Sequence, residues 1–358
     1  MPHRPVLIMA GGTGGHVYPA LAVADYLRDR GVPLYWLGTR HGLESRIVPE
    51  QRYPLLTIDI RGLRGNGVMG WMLAPFRLCI AVAQAIRHLL HCRPAVVLGM
   101  GGFVSGPGGL AAWLLRIPLV IHEQNAIAGL TNRLLAPLAR AVLQGFPESF
   151  RNGARTTGNP VRADIGRLAP PAERLAGRAG PVRLLVLGGS QGARALNQRL
   201  PAALGNLHGV ELEVLHQAGP RHLEETRQLY AAAGVRNAEV VPYIENMAGA
   251  YAWADLVLCR AGALTIAELC VAGVAAILVP YPFAVDDHQT ANARHMSGAG
   301  GAVLLPEQDL DAPVLASLLA GLAADRARLL GMAERCRSLG RPEAVQAVGD
   351  VCLEAARG

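Results

Sequence analysis

The sequence can do chemistry chiefly at two glycine-rich turns half a chain apart. Gly11-Gly12-Thr13-Gly14-Gly15-His16 follows the apolar run Val6-Leu7-Ile8-Met9, and Gly188-Gly189-Ser190-Gln191-Gly192 follows Val182–Leu187. Glycines let backbone N–H groups approach a ligand, and the helix start that follows carries partial positive charge. The N–H groups of Ser190, Gln191 and Gly192 would cradle a phosphate; a tight turn with no ligand is the alternative. His16 lies where strand gives way to helix. The helix start disfavours a protonated imidazole and so suits it to accept a proton. A structural hydrogen bond to a neighbouring loop is the plainer reading of His16.

Two further segments carry groups suited to hydroxyls. Gly262-Ala263-Leu264-Thr265-Ile266-Ala267-Glu268 is another glycine turn into a helix, and Glu268 on its second turn could accept hydrogen bonds from ribose hydroxyls. Alone, Glu268 would read as a solvated helix residue. Asp286-Asp287-His288-Gln289 follows a Pro-rich turn and could read sugar hydroxyls, or only cap a helix.

Familiar nucleotide motifs fail here. Gly12-Thr13-Gly14-Gly15-His16-Val17 lacks the third glycine of G-x-G-x-x-G, and Trp36-Leu37-Gly38-Thr39-Arg40 offers no acid for a ribose, so a nicotinamide dinucleotide is disfavoured. A P-loop is excluded because all 34 basic residues are arginine. The only D-x-D, Asp309-Leu310-Asp311, reads as a helix cap rather than a metal clamp, so neither metal nor cofactor is expected.

Short apolar strands alternate with helices around these turns. Strands fit 6–10, 33–37, 55–59, 95–99, 118–122 and 141–144, with helices at 18–30, 71–91, 106–116 and 128–139. The pattern repeats with strands at 182–187, 211–216, 239–242, 255–259, 275–280 and 302–305 and helices at 191–204, 220–232, 246–253, 262–272 and 288–298; the tail from about 309 is helical. This is an α/β fold of two doubly wound parallel sheets, each in a domain of ordinary size, with ligands expected beyond the carboxyl ends of the strands and in a cleft between domains. A hinge fits Gly158-Asn159-Pro160, and 166–181 reads as a surface excursion.

Charge is uneven. Residues 1–160 hold 16 Arg and 7 acids, whereas 161–358 hold 18 Arg and 20 acids. The first half would therefore attract phosphate or an anionic membrane. Nucleic acid is disfavoured, since no recognised motif accompanies the charge. Six cysteines show no metal spacing and read as reduced thiols of the cytoplasm. The run after Arg4 breaks too early for a signal peptide, and the uncharged stretches 5–24 and 94–115 read as strand, turn and helix, so no transmembrane span is expected. Segment 61–90 sets Arg61, Arg64, Arg77 and Arg87 beside Met69, Trp71, Met72, Leu73, Phe76, Leu78 and Ile80. An apolar helix rimmed by arginine suits a membrane interface, while an amphipathic helix packed on a core is the alternative.

Taken in order, Gly11–His16, His122-Glu123-Gln124-Asn125, Gly158-Asn159-Pro160-Val161-Arg162, Gly188–Ala193 and Asp287-His288-Gln289 resemble the MurG family, within glycosyltransferase family 28, across the whole chain. The resemblance implies a GT-B fold and inverting transfer of N-acetylglucosamine (GlcNAc) from UDP-GlcNAc to the C4 hydroxyl of N-acetylmuramic acid in lipid I, giving lipid II. That work is done at the cytoplasmic face of the bacterial inner membrane, with anionic phospholipid as a further partner. It implies an acceptor- and membrane-associating domain at 1–160, a UDP-GlcNAc domain at 161–340, and a final helix at 341–358 packing back on the first.

The resemblance also implies roles for residues. Ser190, Gln191 and Gly192 would meet the donor diphosphate, Arg162 and the Ile244 backbone the uridine, and Glu268 the ribose. Ala263, Leu264 and Thr265 would line phosphate and sugar. Gln289, Asn292 and Asn125 would contact GlcNAc, with Thr13, Gly14 and Gly15 also reaching the donor. Gly14, Gly15, Gly102, Ser105 and Gly106 would receive the acceptor pyrophosphate. His16 is the first candidate for the general base and Glu123 the second. Trp71, Met72, Leu73, Phe76, Arg77 and Ile80 would touch the membrane. A UDP-GlcNAc 2-epimerase of similar fold is the rival enzyme, and a non-catalytic membrane scaffold the rival from another class.

Overall fold

Strands such as Val6–Met9 and Leu256–Cys259 are apolar at every position, which only a sheet covered on both faces can bury. A computed structural model bears this out; it describes residues 4–60, 67–150, 153–189 and 192–357, with only the backbone for 67–72. The chain divides into two compact units, Met1–Arg162 with Pro342–Gly358, and Ala163–Arg341.

The first unit runs β1 (Val6–Met9), α1 (Gly14–Arg28), β2 (Leu34–Gly38), α2 (Glu44–Glu50), β3 (Leu55–Thr57), α3 (Gly67–Cys92), β4 (Val96–Gly99), α4 (Ser105–Leu114), β5 (Leu119–Glu123), α5 (Leu130–Leu135), β6 (Ala141–Gln144) and β7 (Arg155–Thr156). Its parallel sheet has the order β3-β2-β1-β4-β5-β6-β7. Alternation along β1 divides the core. Val6 and Ile8 pack with α1 residues such as Val17, Leu21 and Leu27, whereas Leu7 and Met9 pack with Ala81, Ala85 and Leu89 of α3 and Ala111 of α4.

The second unit begins with the short helices α6 (Ala163–Gly166) and α7 (Pro171–Arg174). It continues β8 (Val182–Leu187), α8 (Arg194–Gly205), β9 (Leu212–Gln217), α9 (Leu223–Ala232), β10 (Ala238–Val241), α10 (Met247–Trp253), β11 (Leu256–Cys259), α11 (Ala263–Ala272), β12 (Ala275–Leu278), α12 (His288–Gly298), β13 (Ala302–Leu304), α13 (Ala312–Ala323) and α14 (Arg326–Ser338). Its sheet is parallel, in the order β10-β9-β8-β11-β12-β13. The last helix, α15 (Ala344–Arg357), buries Val348, Val351, Cys352 and Ala355 in the first unit's core beside α1.

Two local expectations change. Helix α1 starts at Gly14 rather than 18, which places His16 inside its first turn. Helix α8 starts at Arg194 rather than 191, because Gly189 and Gly192 both take positive φ and extend the turn. Segment 166–181 does run over the surface, with Pro171 its one buried residue, but it is anchored rather than loose. Arg174 donates to the carbonyls of Ala272 and Gly273 at the end of α11, and Arg178 to those of Ala252 and Trp253 and to the Asp255 carboxylate. Planar guanidinium forks satisfy helix C-terminal carbonyls that a helix cannot pair itself, and so clamp this segment down.

Candidate active site

In the first unit the chemistry gathers beyond the carboxyl ends of β1, β4 and β5. Thr13 occupies the N-cap of α1 in extended conformation without a side-chain cap, so the amides of the first turn, at Gly14 and Gly15, are not consumed by it. Thr13 and Gly15 are exposed. Beneath them lies a group that sequence reasoning missed. The fully buried carboxylate of Glu44 accepts from the Gly12 amide at 2.9 Å, the Thr39 amide at 2.9 Å and the Thr39 hydroxyl at 2.7 Å. A generic acid at the start of α2 carries no sequence signal for this work, but it takes the Gly12 amide for itself.

His16 meets the loop after β5. Its Nδ1 lies 3.1 Å from Oε1 of Gln124. The ring fits because Gly101, at φ +94°, has no side chain; a Cβ there would lie 2.6 Å from His16 Nδ1. The Gln124 amide group donates to the Met100 carbonyl at 2.9 Å and contacts Nδ1 of His122 at 3.3 Å. His122 Nε2 lies 3.0 Å from the Gly158 carbonyl. Burial pulls the His122 pKa down to about 4, against the Gly158 hydrogen bond, so the ring is neutral.

Glu123 is placed differently from its expectation as a reserve base. It is buried, and four N–H donors fill its carboxylate: the Asn125 amide (3.0 Å) and side chain (3.2 Å) on Oε1, and the Gly129 amide (3.0 Å) and Asn132 side chain (2.8 Å) on Oε2. A carboxylate so occupied orders the 123–132 loop, with half-buried Asn125 on it. Ser105 also departs from expectation. It is buried and donates its hydroxyl to the Gly101 carbonyl at 2.9 Å, which braces the loop and leaves no hydroxyl for a pyrophosphate. Gly102 and Gly106 remain partly accessible nearby.

Helix α3 packs Ala81, Ala85, Leu89 and Cys92 inward, yet Leu73, Phe76 (69% exposed), Leu78 and Ile80 (56%) face outward beside exposed Arg77. Leu73–Cys92 is long and apolar enough to cross a membrane by length and composition alone. Its inner stripe belongs to the unit's core. Arg61 and Arg64 and the side chains of Trp71 and Met72 lie outside the described residues.

In the second unit, Ser190 and Gln191 also lie outside the described residues, but the frame of their turn is visible. Gly192, at φ +78°, packs so tightly that a Cβ would collide with the Ala218 carbonyl. That carbonyl accepts from Asn197 Nδ2 at 2.9 Å, Asn197 Oδ1 meets Nε2 of buried His216 at 3.0 Å, and Nδ1 of His216 meets the Tyr230 hydroxyl at 2.9 Å. Burial draws the His216 pKa to about 3. A neutral polar lattice therefore holds the floor of the turn, and none of its members was singled out by the sequence.

Helix α11 opens like α1. Gly262 is an N-cap without a side chain and so brings no side-chain cap to the turn of Ala263, Leu264 and Thr265. One turn on, Glu268 is nearly buried and accepts from the Tyr251 hydroxyl at 3.0 Å. Ile244 is buried and Arg162 half-buried. Gln289 uses Oε1 to accept from the Tyr281 amide at 2.9 Å. Asn292 departs from its expected sugar contact. It is wholly buried and donates to the Ala261 carbonyl at 3.2 Å, so it braces the turn that carries Ala263–Thr265. Arg260, also unforeseen, pairs with Glu307, donates to the Val279 and Pro280 carbonyls, and stacks on Tyr281 at 5.5 Å. Asp286 and Asp287 both take left-handed φ (53° and 50°), an uncommon pair of conformations ahead of α12. Asp311 caps α13, accepting from the Val314 amide at 2.8 Å, as its position suggested.

Family comparison agrees with this layout. The glycosyltransferase family 28 N-terminal domain matches residues 6–144 and the family 28 C-terminal domain residues 183–348. The UDP-N-acetylglucosamine–N-acetylmuramyl-(pentapeptide) pyrophosphoryl-undecaprenol N-acetylglucosamine transferase of Alkalilimnicola ehrlichii is 58% identical over 99% of both chains, and that of Marinobacter nauticus 54% identical over 100% of this chain and 99% of its own. The crystal structure of Acinetobacter baumannii MurG is 43% identical with a TM-score of 0.87, covering 98% of this chain and 99% of that one. The calicheamicin glycosyltransferase CalG4 shares the fold at 18% identity, with a TM-score of 0.68 over 99% of this chain and 98% of its own.

Proposed function

The chain belongs to glycosyltransferase family 28, and we propose that it transfers N-acetylglucosamine from UDP-N-acetylglucosamine to the muramyl sugar of undecaprenyl-pyrophosphoryl-N-acetylmuramyl-pentapeptide (lipid I). The observation that carries this reading is the full-length identity to transferases of that name, joined to a histidine held in the first turn of α1.

The step follows from the residues. His16 Nε2 takes the proton of the C4 hydroxyl as its oxygen attacks C1 of the donor sugar. The new oxygen–C1 bond forms as the C1–phosphate oxygen bond breaks, the electron pair leaves with UDP on the opposite face, and the anomeric centre inverts. The glycine turn after β8 and the start of α11 meet the charge gathering on the diphosphate, and Glu268 binds the ribose. The amides at Gly14 and Gly15 receive the acceptor pyrophosphate. The exposed apolar face of α3, with Arg77 and the surplus arginine of residues 1–160, seats the enzyme on the anionic cytoplasmic face of the inner membrane.

The decisive assay follows radiolabel from UDP-GlcNAc to a short-chain lipid I analogue, with and without EDTA. Labelled disaccharide–lipid in both conditions is expected. Conversion of donor alone to UDP-N-acetylmannosamine would make the enzyme an epimerase, and absence of both turnover and donor affinity would make it a scaffold.

A further inference from the structure

We infer that Gln124 is a positioning residue that sets the tautomer of His16, keeping the proton on Nδ1 and the lone pair on Nε2. The inference rests on the reading of His16 as the base, and adds which nitrogen does the work and what enforces it.

Hydrogen-bond accounting forces the assignment. The Gly158 carbonyl can only accept, so His122 Nε2, 3.0 Å away, carries a proton. His122 is neutral, so its Nδ1 holds a lone pair. The Gln124 side-chain nitrogen has two hydrogens, and two acceptors face it: the Met100 carbonyl at 2.9 Å and His122 Nδ1 at 3.3 Å. Turning the Gln124 amide over would set oxygen against the Met100 carbonyl and against that lone pair, so the orientation is determined. Oε1 must then point at His16 Nδ1, 3.1 Å away, and an amide oxygen only accepts. Neutral His16 therefore carries its proton on Nδ1. Each donor and acceptor in the relay from Gly158 to His16 agrees with its neighbour.

The relay is also held mechanically. His122 is wholly buried and Gln124 nearly so, while the missing side chain at Gly101 admits the His16 ring. A base that spends part of its time in the wrong tautomer is idle for that time, and holding the right one is a known lever on rate.

The test reads the tautomer directly. In protein labelled with ¹⁵N-histidine, with the His16 signals assigned by their loss in His16→Ala, long-range proton–nitrogen correlation should show a protonated Nδ1 and an unprotonated Nε2. A protonated Nε2 in the wild-type protein overturns the inference before any variant is made. In Gln124→Met, the His16 signals should move toward a tautomer mixture and kcat should fall by on the order of 10²-fold, with KM for UDP-GlcNAc unchanged. A Gln124→Met protein with an altered tautomer and wild-type kcat overturns the positioning role. If His16→Ala keeps full kcat, the base reading fails instead, and the nitrogen spectrum still reports separately on Gln124.

Discussion

Tyr26 in the first helix donates its hydroxyl to the Asp350 carboxylate in the last, at 2.7 Å and across 324 positions of sequence. Val348, Val351, Cys352 and Ala355 of the same closing helix enter the first unit's core. Burial and the Asp350 carboxylate together raise the Tyr26 pKa, so the phenol donates throughout the neutral range. Asp350→Ala should lower unfolding free energy by about 1–2 kcal/mol, read by urea titration. Deleting 342–358 should cost more, since each large buried apolar side chain contributes roughly 1.5–3 kcal/mol. Equal stability of the deletion and the full chain would deny the helix any part in the first unit.

Three substitutions should separate chemistry from binding. His16→Ala is expected to lower kcat by about 10²- to 10⁴-fold, with calorimetric affinity for UDP-GlcNAc unchanged. Glu268→Gln is expected to raise the donor KM and to weaken UDP binding, and Tyr251→Phe, which removes the 3.0 Å hydrogen bond to Glu268, to do so by a smaller factor of about 5, equivalent to about 1 kcal/mol. Donor binding that resists Glu268→Gln would take the ribose away from this carboxylate.

Acid should destabilise the protein through two buried histidines. Folded His122 and His216 titrate at about 4 and about 3, below the ordinary imidazole value of 6.5, because burial penalises the charged ring. The unfolded chain therefore binds protons first as pH falls. Stability from both is complete above 6.5 and declines as pH drops from there toward 4, by about 1.4 kcal/mol per pH unit for each histidine. Urea unfolding between pH 7 and 4 should show that slope, and His216→Phe should reduce it by one histidine's share. A flat profile in this window would mean that both rings take up protons in the native protein as they do in the unfolded chain.

Membrane seating should depend on the outward face of α3. Phe76 and Ile80 are exposed and outside the packed stripe. The double substitution Phe76→Ser with Ile80→Ser should weaken sedimentation with vesicles containing anionic phospholipid, and leave turnover of a soluble acceptor analogue intact. Arg77→Ala should weaken it by about 1 kcal/mol, an effect that rising salt erases. Undiminished vesicle binding by the double variant would place the contact elsewhere.

How far the sequence could be read differed by kind of feature. The six strands of each repeat were visible because apolar runs between glycine turns leave few other solutions, and β7 escaped because two exposed residues carry no pattern. The glycine turn and His16 stood out because backbone needs at a strand end are local. The groups that hold them in place did not. Gln124 lies 108 positions away and Glu44 opens an ordinary helix, and nothing near either hints at what it touches. Ser105 and Asn292 have the right types and neighbourhoods for ligand contact, yet the fold buries both against backbone carbonyls.

Residue order alone thus determined the parallel α/β architecture, the places where backbone amides gather, and the family, because strand burial, helix starts and glycine conformations are properties of short segments. Packing alone decided which polar groups spend their hydrogen bonds holding a loop. It also decided which nitrogen of His16 carries the proton, because that depends on donors and acceptors from distant strands meeting within about 3 Å.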